Sequence, residues 1–164
     1  MRSILLILLF SALVPDAAWP QRRVAAVSST EDGAARITFS DGSKAAIPKE
    51  PGQVSITDAR IGANGTIGWL AEFSVDAVGY PVAETLILWK AGKLLRRFPD
   101  DQPYYSWTFY AQGKQVAYHV GPLHGESKSH CELHDVASGR LIAEWDGELP
   151  SGANGPAWTQ GLDH

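Results

Sequence analysis

The sequence predicts an all-β fold of antiparallel four-stranded units, on three observations. Short runs alternate apolar and polar residues with a period of two. No stretch after the N-terminal segment holds a helical period. The breaks between runs are Gly, Pro, Asn and Asp, with 16 Gly and 10 Pro in 164 residues.

The elements follow in chain order. Arg2 and the apolar run Ile4 to Val14 read as a signal peptide over residues 1–18, cut near Ala18. The run is about half the ~20 residues of a bilayer-spanning helix, so no stable span is expected after cleavage; an uncleaved anchor is the competing reading. Residues 19–35 form a linker, or an edge strand at Arg23 to Ser28. Ile37 and Phe39 then alternate with Thr38 and Ser40, Asp41-Gly42 follows, and Lys44 to Ile47 returns. Alternation around Asp-Gly marks a hairpin, since that turn needs positive φ at its centre. Ile67-Trp69-Ala71-Phe73, Val116-Tyr118-Val120 and Leu141-Ala143-Trp145 are further alternating sets, each with one expected core face.

The runs repeat. Ala59 to Trp69 aligns with Trp107 to Tyr118 around Gly65 and Gly113, 48 residues apart; Ala91 to Phe98 aligns with Ser138 to Trp145 around Gly92 and Gly139, 47 apart. Four short strands per unit of this period are the mark of propeller blades. Ile61-Gly62-Ala63-Asn64-Gly65-Thr66-Ile67-Gly68-Trp69 resembles the strand-turn-strand of TolB-like and WD-repeat-like β-propellers. Leu133-His134-Asp135-Val136-Ala137-Ser138-Gly139-Arg140-Leu141 is similar to their outer hairpin. The Ser-Pro-Asp of such repeats is replaced here by Gly62-Ala63-Asn64 and by Tyr110-Ala111-Gln112. The resemblance implies a propeller-like domain over 36–147, with blades at Ser55 to Phe98 and Tyr105 to Trp145 and a partial blade before them. Residues 148–164 are a Gly/Pro-rich tail or the start of a third repeat, since Gly152-Ala153-Asn154-Gly155 echoes Gly62 to Gly65. Two blades do not close a ring. An open segment, a β-sandwich or closure between copies are the solutions open to this chain.

Composition narrows the function. A net charge of −4 without a basic cluster lacks the footprint of nucleic-acid binding. Cys131 is the only cysteine, so no internal disulfide forms; it reads as a small buried hydrophobe. No cofactor or metal is expected. His130 and His134 lie ~13 Å apart along a strand, too far to share an ion directly, although His119, His124 and His130 span one loop. Gly125 to Ser129 lacks the second glycine of a nucleophile elbow.

The loops are more informative. Ser74 to Glu84 carries Asp76 and Tyr80; Pro99 to Tyr105 carries Asp100, Asp101, Tyr104 and Tyr105; Gly121 to Ser129 carries His124 and Glu126. In a propeller these connections emerge at one end, and length beyond a minimal turn serves binding. The expectation is an exported, non-enzymatic module for protein interaction or ligand binding on that loop face. Its partner, a protein or another copy, would add through open sheet edges. The alternatives are a metal-assisted hydrolase using residues 123–134 and a relic of a longer propeller.

Overall fold

A computed structural model describes residues 22–123, 130–147 and 155–162. The predicted signal peptide lies outside the described residues, as do His124, Glu126, the elbow-like Gly125 to Ser129 and Gly152-Ala153-Asn154. No helix among the described residues is long and apolar enough to cross a membrane.

The described chain is all-β, with three antiparallel sheets, none closed into a barrel. The first sheet is β1 (Val24–Ser29), β2 (Ala35–Phe39) and β3 (Lys44–Ile47). The second is β4 (Gln53–Ile61), β5 (Ile67–Ser74), β6 (Pro81–Lys90) and β7 (Lys93–Pro99). The third is β8 (Tyr104–Tyr110), β9 (Gln115–Val120), β10 (His130–Asp135) and β11 (Leu141–Asp146). Each is a meander in chain order, an arrangement that suits an open propeller-like stack or a layered sandwich. The residues read as a linker or edge strand contain β1, and the Asp41-Gly42 turn joins β2 to β3.

The sequence repeat has a structural counterpart in the turns. Gly65 and Gly113 close the first hairpins of the second and third sheets, at φ +76° and +79°. Gly92 and Gly139 close the last hairpins, at +84° and +75°. Positive φ is costly for residues with a Cβ, which explains glycine at all four. The two early turns also touch: Asn64 donates from Nδ2 to the Gly113 carbonyl (2.7 Å) and accepts the Thr66 N–H on Oδ1 (2.9 Å). The Asn64 side chain therefore ties the second sheet to the third.

The sheets stack face to face with the second in the middle. Ile67, Trp69, Ala71, Ile87 and Trp89 pack on Ala35, Ile37 and Phe39 of the first sheet. From the opposite face Leu70, Leu86 and Leu88 pack on Trp107, Val116, Tyr118 and Val120 of the third. The one-core-face expectation therefore fails for β5, because the middle layer it forms with β6 has no solvent side. The outer surfaces differ in kind. The first sheet presents Arg36 opposite Ala46 and Thr38 opposite Lys44, a polar and small-residue face. The third would expose Ala117, Cys131 and Leu133, but Trp158 and Leu162 cover them. That segment forms a 3-10 turn at Ala157–Thr159 instead of a strand, and its Leu162 carbonyl accepts the Ser106 hydroxyl at 2.5 Å.

Trp107 is the joint between the second and third sheets. It is fully buried, and its indole Nε1–H donates to the Asp58 carbonyl of β4 at 2.8 Å. Gly68 makes room for it: a Cβ there would lie 2.6 Å from Trp107 and 2.7 Å from Leu88. Gly68→Ala is expected to cost about 1–3 kcal/mol through overpacking. Urea unfolding measures it, and an unchanged midpoint would contradict this seating of Trp107.

Candidate functional site

A cleft of roughly 530 Å³ opens between the second and third sheets, along the edge strands β4 and β8. Tyr80 reaches it from the β5–β6 connection, Pro103 from the β7–β8 connection and Leu123 from the β9–β10 connection. Leu70, Val82 and Ala83 form an apolar wall. Asp58, Arg60 and Glu72 add charge.

The β4 side is shaped by a bulge. Pairing with β5 shifts between Thr57 and Arg60, and Asp58 sits at φ +44°, an unusual conformation for a residue with a Cβ. The bulge brings Asp58 and Arg60 together as a two-point ion pair, Nε to Oδ1 at 2.8 Å and Nη2 to Oδ2 at 3.0 Å. Such paired geometry fixes the guanidinium. The Arg60 guanidinium carbon also lies 5.5 Å from the Trp107 ring centroid. Glu72 accepts a hydrogen bond from the Ser55 hydroxyl. The positive-φ residue and the ion pair thus stand on one cleft wall, with the buried Trp107 behind them.

The sequence-predicted binding residues divide. Tyr80 and Tyr105 line the cleft and are half exposed, at 52% and 50%. The Tyr105 hydroxyl donates to the Pro122 carbonyl, and its ring lies 5.1 Å from that of His119. Tyr104 borders the cleft but is buried, with its hydroxyl donating to the Phe98 carbonyl at 2.6 Å. Burial raises the pKa of that hydroxyl. Both tyrosines stand in β8, and the β5–β6 connection is shorter than expected because Pro81 opens β6. Asp100 turns inward to accept the Gln102 N–H at 2.9 Å, and partial burial raises its pKa. Asp101 and Asp76 are exposed in turns away from the cleft lining.

A second polar group runs along the inner face of β10, from the buried His134 out to the exposed Asp146. His130, Glu132 and His134 occupy alternate positions of β10, and Glu132 is in register with Tyr118. Glu132 bridges the two histidines: Oε1 lies 3.1 Å from His130 Nε2, and Oε2 lies 2.5 Å from His134 Nε2. Tyr118 donates to the same Oε2 at 2.5 Å. His130 Nδ1 meets Asp146 at 2.6 Å, and His134 Nδ1 meets the Gly139 carbonyl at 3.0 Å. Carboxylates and carbonyls only accept, so these contacts favour the protonated form of both imidazoles, which would then alternate with Glu132 and Asp146.

The protonation preferences follow. The hydrogen bond from His134 leads the effects that hold Glu132 at a pKa of about 2. Asp146 leads those that raise His130. For His134 burial is the largest effect and would lower it, but Glu132 and the Gly139 carbonyl together outweigh it. His119 faces the other side, in register with Cys131, and burial lowers its pKa. His119 and His130 therefore do not share a site. Among the described residues no group of three His, Cys, Asp or Glu side chains is arranged to hold a metal ion. Cys131 is buried in β10, with burial pushing its thiol up to about 12, as a small core residue would be.

Metal-ligand spacing along a strand separates His130 from His134, but Glu132 stands between them on the same face. The alternation His-x-Glu-x-His on one strand face was the available signal. Asp58 and Arg60 carried no such signal, because a bulge breaks the period that would place them.

Fold and site define the chain as an all-β protein of stacked antiparallel sheets with a charged, tyrosine-rimmed cleft between two of them. No protein-family model matches the chain, and no curated protein matches it.

The ladder has a pH signature. Raised histidines stabilise the fold below their ordinary pKa of 6.5 and lose that contribution as pH rises through the folded values. Glu132 contributes above its ordinary 4.5 and loses this as pH falls towards about 2. The stability difference between wild type and Glu132→Gln should therefore peak between those two ordinary values. A difference that stays flat from acid to alkaline pH would contradict the cationic ladder.

Proposed function

We propose that this chain is an exported, non-enzymatic binding module that holds an extended peptide segment of a protein partner in the cleft between the second and third sheets. The observation that carries this is the convergence of Tyr80, Tyr105 and the Asp58–Arg60 pair on one cleft between two edge strands. Edge strands offer main-chain hydrogen bonds to an extended peptide. Half-exposed tyrosines supply rigid, amphipathic contact area, and aromatic residues are the usual energetic anchors of interfaces. The Asp58–Arg60 pair adds a fixed, charged polar feature to the cleft wall. The faces through which further blades would stack are polar in the first sheet and covered in the third, which leaves edges and cleft for recruitment. Export rests on the signal-like N-terminus alone.

The hydrolase alternative draws no comparable support. Of the histidines in 123–134, His130 and His134 spend their ring nitrogens on Glu132, Asp146 and a backbone carbonyl, and His124 lies outside the described residues.

Tyr80 and Tyr105 are the residues to test, because Tyr104 belongs to the core. Peptides selected from a random display library on the wild-type chain should bind Tyr80→Ala/Tyr105→Ala at least ~30-fold more weakly, about 2 kcal/mol. The variant's thermal unfolding should be unchanged. Equal affinity for both proteins, or no enriched peptide, would remove this reading.

A further inference from the structure

A meander turns alternately at two ends of its sheet, and in this molecule the two ends differ in charge. The β4–β5, β6–β7, β8–β9 and β10–β11 turns lie at one end of the second and third sheets. Hydrogen bonds join three of them: Asn64 donates to the Gly113 carbonyl, and the Val136 N–H donates to the Lys114 carbonyl at 2.9 Å. The first sheet reaches the same end, since Arg22, Arg23 and Phe39 border one hollow with Gly65 and Lys90.

No run of the sequence is basic, yet the fold gathers cations at this end. Arg22 and Arg23 lead into β1, Lys44 follows the Asp41-Gly42 turn, and Lys90 and Lys93 flank the β6–β7 turn. Lys114 and Arg140 stand just before β9 and β11. The carboxylates of these turns are Asp41 and Asp135. Asp41 meets Arg22 Nε at 3.3 Å, and Asp135 accepts the N–H and hydroxyl of Ser138. Arg23, Lys44, Lys90, Lys93 and Lys114 form no ion pair among the described residues. The described turns of the other end carry Glu31, Asp32, Glu50, Asp76, Asp100 and Asp101 against Lys49. The molecule is therefore polarised along its strands.

Exposed apolar side chains accompany the cations. Ile61, Leu94, Tyr110, Leu141 and Ile142 stand at or next to the strand ends of the basic end, each between 38% and 43% exposed. Ile61 borders a hollow with Arg22 and Arg23. A nucleic acid or an acidic protein surface is met by charge alone. Cations interleaved with aliphatic side chains suit a boundary that is anionic at its surface and apolar beneath.

We propose that this basic end of the sheet stack docks on the surface of an anionic phospholipid bilayer. Arg23, Lys90 and Lys93 meet lipid phosphates, with their aliphatic stems along the apolar boundary. Ile61 and Leu94 enter the headgroup layer. Contact is made by turns and strand ends, so it is peripheral and reversible. The acidic end is repelled by the same surface, which fixes the orientation. Tyr80, Pro103 and Leu123 rim the cleft at that acidic end, so the cleft opens away from the bilayer. The assignment does not depend on what the cleft holds.

Co-sedimentation of the full chain with lipid vesicles tests this. Phosphatidylcholine vesicles with about 30 mol% phosphatidylglycerol should bind it, and phosphatidylcholine alone should bind it at least ~30-fold more weakly. Raising NaCl from ~0.1 to ~0.5 M shortens the screening length by about half and should release most of the bound protein. Each Lys or Arg near an anionic surface strengthens binding about fivefold, so Arg23→Gln/Lys90→Gln/Lys93→Gln should weaken it ~100-fold. Ile61→Ser/Leu94→Ser should weaken it about fivefold at either salt concentration. Lys49→Gln, at the acidic end, should leave it unchanged. Equal binding to both kinds of vesicle would place the contact in an apolar segment elsewhere and overturn the assignment. So would a triple variant that binds like the wild type, or a Lys49 variant that binds as weakly as the triple one. A DNA duplex and light scattering cover the other occupants. Salt-dependent binding to the duplex, or salt-dependent self-association, without vesicle binding would give the basic end to a polyanion or to the acidic end of another copy and would also overturn it.

Discussion

The second sheet is buried on both faces, and the rest of the molecule depends on that. Its odd-numbered residues on β5 and its Ile87 and Trp89 hold the first sheet, while Leu70, Leu86 and Leu88 hold the third. Neither outer sheet has a comparable core of its own. Apolar burial is worth ~25 cal/mol per Å² removed from water, so the layer with two buried faces carries most of the driving force. Trp107 then sets the orientation of the third sheet, with its N–H on the β4 backbone and its ring over the space that Gly68 leaves.

Stacking also explains where polar chemistry collects. Twisted sheets diverge at their edges, and the cleft opens where the edge strands β4 and β8 part. The bulge at Asp58 turns two charged side chains onto the cleft wall while its carbonyl anchors Trp107. The site and the joint thus share one residue. In the same interface, the His130–Glu132–His134 ladder alternates acid and base, with the exposed Asp146 at its end. Pairing of this kind is the condition under which charge can be kept between packed sheets, since an unpaired buried charge is costly.

What the sequence revealed was what is local. Asp41-Gly42 and the four aligned glycines announced the hairpins, because positive φ is a property of single residues. The two blade-like units followed from their spacing, and Tyr80 and Tyr105 were legible as exposed aromatics next to turns. Properties created by stacking were not legible. Alternation assigns a strand one core face, so the double burial of β5 stayed hidden. Tyr104 and Tyr105 looked alike, although strand geometry sends one inward and the other to the cleft. The Asp58–Arg60 pair depends on a bulge, and the basic end depends on turns that lie far apart in the chain.

Native-state hydrogen exchange tests the dependence on the middle layer most directly, since amides in the last structure to open exchange only by global unfolding. The account predicts that the amides of β5 and β6 are the slowest in the protein and share one opening free energy equal to that of global unfolding. Those of β1, β3 and β11 should exchange through smaller openings. If the amides shared by β9 and β10 outlast those of β5 and β6, the third sheet is stable on its own and the middle layer is not what holds the fold.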